Sequence, residues 1–339
     1  MGIGQNLKTL KSTNRSALLY LLNKNGQMSR KEIANSLKLT PAAVTKISQE
    51  LIQEGYVNEG AAIKDGQKGR SEVMLSLNLS KKYVVGICAD RDSINYSISS
   101  MDGNLVSIEK KPFDSNVDNV VKCAKEFLVN SGYKDKVVGA GVCIIGSIHG
   151  YGIWEINNLK DKFEKALGVE VVIHNNVRSF AIAGTIYEAK ENKKAELYFK
   201  WGPGIGSAIV NDGQVLNAGD SGVSEIGHYI VNPNGKKCRC GRVGCLETEA
   251  TLDNKNIYDK IKLAAMALMN TATILNADSI VLFGSVFSDE KIAKDFIQEC
   301  LSINPLLKED NIRVSKLNEK VAYIGATAIC ARRLFFEKK

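Results

Sequence analysis

The stretch of sequence that most constrains this chain runs from Glu225 to Glu247. Within eighteen positions it carries one histidine and three cysteines, separated by glycines and a proline that permit tight turns: His228, Cys238, Cys240 and Cys245. Three sulfurs and one imidazole nitrogen make the closed, four-ligand set typical of a structural zinc site, whereas a catalytic zinc usually keeps one position open for water. We therefore predict a structural zinc ion that folds this loop.

Cysteines that are close in sequence can also be buried apolar residues or disulfide partners. This loop has no apolar run to bury, and three cysteines leave one without a disulfide partner. Ligand type and spacing therefore favour the metal. Glu225 and Glu247 bracket the four ligands, so two carboxylates accompany the predicted metal site.

The length and composition are those of a soluble protein with more than one domain. A chain of 339 residues is too long for one ordinary core. No stretch reaches the uninterrupted apolar length of a membrane span, and residues 1–30 lack a cleavable signal pattern. We expect a cytoplasmic protein whose cysteines outside the loop stay reduced, namely Cys88, Cys123, Cys143, Cys300 and Cys330.

Positive charge is concentrated at the N-terminus. Of the formal net charge of +8, residues 1–80 supply +5, from eleven Lys or Arg against six Asp or Glu. A basic end suggests an acidic partner, with nucleic acid the first candidate, although a scattered solvated surface would have the same composition.

Residues 1–80 have the pattern of a winged helix-turn-helix. An apolar-rich helix over 15–23 precedes Ser29-Arg-Lys-Glu32, which is a capping box that opens a second helix. Thr40 and Pro41 suit the N-cap and first position of a third helix, in which Val44, Ile47 and Leu51 face the core. Strands at 56–57 and 73–77 then flank a basic, glycine-rich turn.

The predicted DNA contacts lie on the third helix and on this turn. Small and polar residues cover the outer face of the helix, and two basic residues stand in the wing: Ala42, Ala43, Thr45, Lys46, Ser48 and Gln49, with Lys68 and Arg70. A small helical packing module is the alternative. The capped second helix, the polar third helix and the basic wing together favour double-stranded DNA.

The remainder repeats one pattern twice. Hairpin strands begin at Tyr83 and again at Glu196, and each set is followed by strand–helix units; Ser279–Gly284 is the last apolar strand. Two such rounds predict two α/β lobes with a cleft between them. We place the domains at residues 1–80, 81–195 and 196–339, with the C-terminal helix packing back on the first lobe. Trp154 and Trp201 are predicted packing residues, and His149 and His174 predicted surface or hydrogen-bonded ones.

Glu225-Ile-Gly-His228 followed by Cys238-x-Cys240-Gly-x-x-Gly-Cys245-Leu-Glu247 resembles the signature of the ROK family, which contains sugar kinases and sugar-responsive repressors. The resemblance implies an α/β fold: a two-lobed, actin-like ATPase (ribonuclease H-like) domain, here behind the winged helix-turn-helix of the regulator branch. It implies that the four loop ligands hold zinc. It also implies a sugar site, formed by Asn175, Asn176, Glu225, His228, Glu247 and Gly146.

Departures from the family's kinases argue against an enzyme. The kinase base is the Asp of an Asn-Asp pair, but this position is Asn176, and an amide is no general base near neutral pH. The Asp-Gly-Gly-Thr phosphate motif is replaced by Cys88-Ala-Asp-Arg-Asp-Ser, and Gly202-Pro-Gly204-Ile-Gly206 alone is weak evidence for ATP. The region after Glu247 is also shorter than in the family, which affects the pocket lid and the subunit contact.

We therefore expect a repressor that a sugar releases from operator DNA, acting as a homodimer or dimer of dimers on a palindromic site. Xylose, glucose and N-acetylglucosamine all remain candidate sugars. An ATP-dependent sugar kinase with a fused DNA-binding domain is the alternative, and a regulator that reads a partner protein is a third possibility.

Overall fold

The computed structural model describes residues 7–63, 72–146, 154, 158–188, 194–216, 224–250 and 256–337. Within these ranges no helix is long and apolar enough to cross a membrane. The predicted wing residues Lys68 and Arg70, and His149, lie outside the described residues.

Three helices and a three-stranded sheet form the N-terminal domain. In chain order they are α1 Leu7–Asn25, β1 Met28–Ser29, α2 Arg30–Leu37, α3 Pro41–Gln53, β2 Val57–Ile63 and β3 Glu72–Leu77. The local sequence signals act as predicted: Ser29 and Glu32 form the capping box, and the side chain of Thr40, directly before Pro41, accepts from the Ala43 N–H. β1 was not predicted; it pairs with β3 in an antiparallel register.

Ser48 does not face DNA, contrary to the prediction. Its side chain is fully buried, accepts from Arg30 Nε at 3.0 Å and donates to the Thr45 carbonyl at 3.0 Å. Arg30 is in turn paired with Glu59. Helical spacing put Ser48 beside the polar face, but a side chain from α2 covers it.

Two five-stranded sheets with the same strand order form the larger part. The first sheet contains β4 Tyr83–Ala89, β5 Ser93–Ser100, β6 Leu105–Pro112, β7 Val137–Ile144 and β8 Val171–Asn175, in the order β6-β5-β4-β7-β8. Its first three strands are antiparallel, and β4, β7 and β8 are parallel. Helices α4 Val117–Asn130 and α5 Leu159–Leu167 pack against each other and cover the buried Tyr96 and Phe163.

The second sheet repeats this arrangement. It contains β9 Ala195–Trp201, β10 Ile205–Asn211, β11 Gln214–Val215, β12 Ser279–Phe283 and β13 Ile312–Val314, in the order β11-β10-β9-β12-β13. Helices α8 Ile257–Leu275 and α9 Glu290–Ile303 cover an apolar cluster on one face that includes the fully buried Trp201. The predicted double round of hairpin and strand–helix units is therefore present, and Trp154 and Trp201 are buried as expected.

Helices α6 Asn176–Ala183 and α10 Val321–Ala331 lie between the sheets. α10 packs on β4, β5 and β7 of the first sheet, although it is the last helix of the chain. The contact is so close that a Cβ added to Gly141 in β7 would lie 1.8 Å from the Ala326 carbonyl oxygen.

A π-helical segment, Arg332–Phe336, continues α10 and reaches the N-terminal domain. The Phe336 ring meets Tyr20 of α1 at 6.2 Å, and Phe335 meets Tyr56 at 5.8 Å, both edge to face. Asn23 Nδ2 of α1 donates to the Ile186 carbonyl at 3.1 Å. The N-terminal domain and the first lobe thus share one continuous apolar cluster, which also includes residues of the second sheet.

Gly141→Ala should lower the free energy of unfolding by about 1–3 kcal/mol, since the new methyl group forces α10 away from β7. Gly60→Ala in β2 is the control, because its Cβ would meet nothing closer than the Met74 carbonyl oxygen at 3.5 Å. Urea denaturation measures both variants. Equal stability of Gly141→Ala and the parent would contradict the tight seating of α10.

Candidate metal centre and cleft

The cysteine loop is held by short backbone pairings. Isolated bridges join Ile230 to Cys245 and Lys237 to Val243, and helix α7 Leu246–Glu249 follows at once. Gly244 has a φ of 73°, and a Cβ there would lie 1.5 Å from the Asn232 carbonyl oxygen. Only glycine allows this turn, which brings Cys245 back beneath the first half of the loop.

The four predicted ligands converge. The nitrogen of His228 and the sulfurs of Cys238, Cys240 and Cys245 all lie within 4.8 Å of one another. His228 Nδ1 is 3.5 Å from the Cys238 sulfur, and the sulfurs of Cys240 and Cys245 are 3.6 Å apart. Tetrahedral zinc with ordinary bond lengths requires separations of about 3.6 Å for N···S and about 3.8 Å for S···S. The geometry therefore fits one metal ion with no position left open.

The protonation of the loop also suits a metal. Burial raises the pKa of the Cys238 thiol, but hydrogen bonds from the Cys240 backbone and the Thr248 side chain outweigh it and lower the pKa to about 6. The thiolate is the form that binds metals. Burial and the neighbouring thiols raise the pKa of Cys245 to about 12, as expected for sulfurs packed together.

The two bracketing carboxylates are held differently. Glu225 is exposed and precedes the single turn Ile226–His228. Gly227 in that turn lies against β10, since a Cβ there would be 2.3 Å from the Ile205 carbonyl oxygen and 3.6 Å from the Glu247 Cβ. The His228 turn therefore lies next to Glu247. Both residues belong to the predicted sugar site.

The Glu247 carboxylate lies against three donors, none of which was predicted from the sequence. Its Oε1 accepts from Arg91 Nη2 at 2.8 Å and lies 3.2 Å from Arg239 Nη2, and its Oε2 accepts from the Ile205 N–H at 3.2 Å. Arg91 belongs to the β4–β5 turn of the first lobe, 156 positions from Glu247. Nothing local in the sequence pairs the two, so the cross-cleft bridge could not be predicted.

The same turn makes a second bridge. Asp90 Oδ1 lies 3.7 Å from Nζ of Lys200, the penultimate residue of β9. The Lys200 side chain is 9% exposed. The β4–β5 turn is therefore tied to the second lobe by two ion pairs. Both pairs cross the cleft.

The predicted floor residues meet at the ends of parallel strands. Asn175 Nδ2 donates to the Gly146 carbonyl at 2.8 Å, and its Oδ1 caps α6 by accepting from the Val177 N–H at 2.9 Å. Asn176 is 3% exposed, and its Oδ1 also accepts from Val177 N–H. Val177 touches Gly206, next to the Ile205 that binds Glu247, so Asn176 and Glu247 border the same part of β10.

The outer face of α3 is open to a partner. Ala42, Lys46 and Gln49 are exposed, and Ala43 and Thr45 are half-buried. The Thr45 hydroxyl donates to the Pro41 carbonyl at 2.8 Å, which leaves its oxygen free only as an acceptor. Three of the six predicted α3 contacts, Ala42, Lys46 and Gln49, therefore present exposed side chains to a partner.

His174 differs from the prediction. It was expected on the surface or with its hydrogen bonds satisfied, but its Nδ1 is buried without a hydrogen-bond partner in the described part of the chain. Burial comes first among the causes that lower its pKa to about 4, followed by the charges of Arg178 and Arg332. β8 is the edge strand of the first sheet, but α6 and α10 pack against it.

Comparison with known proteins places both parts of the chain. A profile for winged helix-turn-helix DNA-binding domains matches residues 11–58, and the ROK family profile matches residues 84–254. The transcriptional repressor Mlc of Escherichia coli is 26% identical over 305 residues, which is 85% of this chain and 75% of Mlc. The xylose repressor of Bacillus subtilis is 28% identical over 259 residues, which is 71% of this chain and 66% of that protein.

Solved structures show the same architecture. A ROK family transcriptional regulator described as a homologue of E. coli Mlc superposes with a TM-score of 0.76 at 20% identity and covers 97% of both chains. A ROK glucokinase from Streptomyces griseus, in complex with glucose and AMPPNP, superposes with a TM-score of 0.60 at 16% identity and covers 73% of this chain and 98% of its own. The fold is a winged helix-turn-helix joined to the two-lobed, actin-like fold of sugar kinases, and the chain belongs to the ROK family.

Proposed function

We propose that this protein is a transcriptional repressor whose hold on operator DNA is released by a sugar bound in the cleft between the lobes. The observation that carries the proposal is the junction of a DNA-binding domain to a ROK cleft through one continuous apolar cluster. The relatives named as repressors of xylose or N-acetylglucosamine genes support the same function.

The sugar site proposed here uses groups from both lobes. Asn175, Asn176 and Gly146 contribute from the first lobe, and Glu225, His228 and Glu247 from the second. Amide and carboxylate groups satisfy the donors and acceptors of vicinal hydroxyls, and a buried polar site rejects ligands that lack them. Because Glu247 is bridged to Arg91, a sugar that binds Glu247 must compete with Arg91.

Because of this competition, the sugar binds more tightly when the Arg91–Glu247 bridge is broken than when it is formed. A ligand can shift a conformational equilibrium only if it prefers one of the two states in this way. Loss of the Arg91 bridge frees one lobe to turn against the other. The C-terminal segment couples the first lobe to α1, so the turn alters the spacing of recognition helices in a homodimer bound to a palindromic operator.

We infer that phosphoryl transfer is not the activity. Asn176 stands at the position of the kinase base, and an amide cannot remove a proton from a sugar hydroxyl near neutral pH. The turn at the phosphate-motif position points Asp90 and Arg91 at partners across the cleft rather than offering glycine N–H groups.

We also propose that the metal is zinc and that its role is structural. The four donors fill a tetrahedral shell, so the ion would have no free position for substrate or water. Bound there, it would fix the loop that carries His228 next to Glu247.

The main test selects DNA from a random library with the full-length protein and then measures its binding in a mobility-shift assay. Xylose, glucose and N-acetylglucosamine are added one at a time, and we expect one of them to release the DNA. Lys46→Ala should weaken DNA binding by about tenfold through loss of one groove contact, whereas Lys125→Ala on α4 should not. Failure to select any DNA, or turnover in a coupled sugar-phosphorylation assay, would overturn the proposal.

Cys240→Ser should abolish stoichiometric zinc, measured by metal analysis of the purified protein, and with it the sugar response of DNA binding. The reason is that a serine hydroxyl replaces a thiolate in a shell with no spare ligand. Cys123→Ser on α4 lies outside the loop and should retain both. If the sugar response persists without metal, the metal only stabilises the loop and is not needed for sugar recognition.

Arg91→Ala should tighten sugar binding by up to about fivefold, because an exposed ion pair of up to about 1 kcal/mol no longer competes for Glu247. Arg239→Ala is the matched control, since Arg239 pairs with the same carboxylate from within the second lobe. Calorimetry with the releasing sugar measures both affinities. Weaker binding in Arg91→Ala would mean that Arg91 contacts the sugar instead of competing with it.

A further inference from the structure

Three basic side chains meet on the side of β8 that faces away from the predicted sugar site. His174 and Asn175 are consecutive in a strand, so their side chains point to opposite faces. Asn175 caps α6 and binds Gly146 at the cleft floor. His174 therefore points to the other face, four residues before Arg178 on α6, and α10, which Arg332 directly follows, packs on both β8 and α6.

Arg178 is buried and has no acidic hydrogen-bond partner among the described residues. Its residue is 7% exposed, and its Nε makes no hydrogen bond within the described part of the chain. Burial, and then the charge of Arg332, lower its pKa. A guanidinium out of water normally pairs with a carboxylate or another acceptor, because an unpaired buried charge is costly.

The neighbouring groups do not neutralise the cluster. Arg332 Nη2 donates to Gln214 Oε1, an uncharged amide on β11 of the second lobe. Burial lowers the pKa of Arg332, and the charges of Glu337 and Tyr20 only partly offset this. The Glu337 carboxylate accepts a hydrogen bond from Arg333 Nη1 at 3.1 Å. His174 adds a second buried nitrogen, Nδ1, without a partner in the described residues. Two guanidinium groups and an imidazole thus share one site with two unused nitrogen atoms.

We propose that His174, Arg178 and Arg332 form a binding site for a small oxyanion, either free phosphate or the phosphate of a monoester. Planar guanidinium groups match such an anion with paired N–H donors. The site is separate from the sugar cleft and goes beyond the repressor function proposed above. It also joins three parts of the molecule: the first lobe through β8 and α6, the second through Gln214, and the segment that touches α1 through Arg332.

Arg178→Met should stabilise the protein in the absence of phosphate and should remove the stabilisation that phosphate gives the parent protein. In phosphate-free buffer Arg178→Met should raise the thermal midpoint, since a buried unpaired charge is replaced by an apolar chain of similar length. Inorganic phosphate should raise the midpoint of the parent protein more than chloride at equal ionic strength, because a ligand of the folded state stabilises it. Arg178→Met should lose this phosphate response.

Calorimetry gives the second measurement. Phosphate binding should weaken roughly tenfold or more in Arg178→Met and in Arg332→Gln, each of which removes charge-assisted hydrogen bonds. Lys125→Gln, an exposed charge on α4 of the same lobe, should bind like the parent. Methyl phosphate is titrated beside inorganic phosphate: binding of both supports an ester ligand, and binding of inorganic phosphate alone supports the free ion.

A spectroscopic readout places the anion at the site. The chain has three histidines, so the imidazole signal that disappears in His174→Gln identifies His174. Phosphate should shift that signal and leave that of His228 in place. The proposal is overturned if phosphate acts no differently from chloride, if Arg178→Met destabilises the protein in all buffers, or if the His174 signal does not respond. None of these results bears on sugar-dependent release of DNA.

Discussion

The contact between α10 and the first sheet is the constraint on which the rest of this structure depends. The last helix of the chain is seated on glycines of β4 and β7 so closely that no side chain fits between them. It then delivers Phe335 and Phe336 to α1. Interiors packed at this density transmit displacement rather than absorb it. The position of the DNA-binding domain is therefore set by the first lobe and not by a flexible linker, and a change in lobe angle cannot leave it unmoved.

Besides the apolar packing of α6 and α10 against the second sheet, the lobes are joined at the cleft by polar contacts that are individually weak. Glu247 is shared between Arg91 of the first lobe and two donors of its own lobe, and Asp90 faces Lys200 nearby. Partly exposed ion pairs of this kind contribute about 1 kcal/mol or less each, so a ligand with several hydroxyl groups can replace them. The metal loop has the complementary property. A metal held by the four ligands, together with Gly227, where no Cβ fits, would fix the His228 turn against β10, so that the edge next to Glu247 stays in place while its partners change.

Local sequence signals predicted much of this molecule, and the failures have a common physical origin. The capping box at Ser29, the Thr40 cap and the four metal ligands depend on spacings of a few residues, and they are as expected. Ser48 failed because Arg30 of another helix covers it. Arg91 was missed because its partner is 156 positions away, and His174 because tertiary packing buries an edge strand. Each of these depends on a contact between elements that no periodicity encodes.

The two sites proposed for this chain use neighbouring residues of β8 and α6, and each lies next to a contact between the lobes. Arg91 and Glu247 join them at the cleft, and Arg332 and Gln214 join them on the far side. A change in the angle between the lobes would alter the contacts at both junctions. Ligands that prefer different lobe angles must then alter each other's affinity by the same factor, since coupling between binding sites is reciprocal. The repressor would therefore respond to the ratio of sugar and oxyanion rather than to either one alone, with Phe335 and Phe336 passing the result to α1.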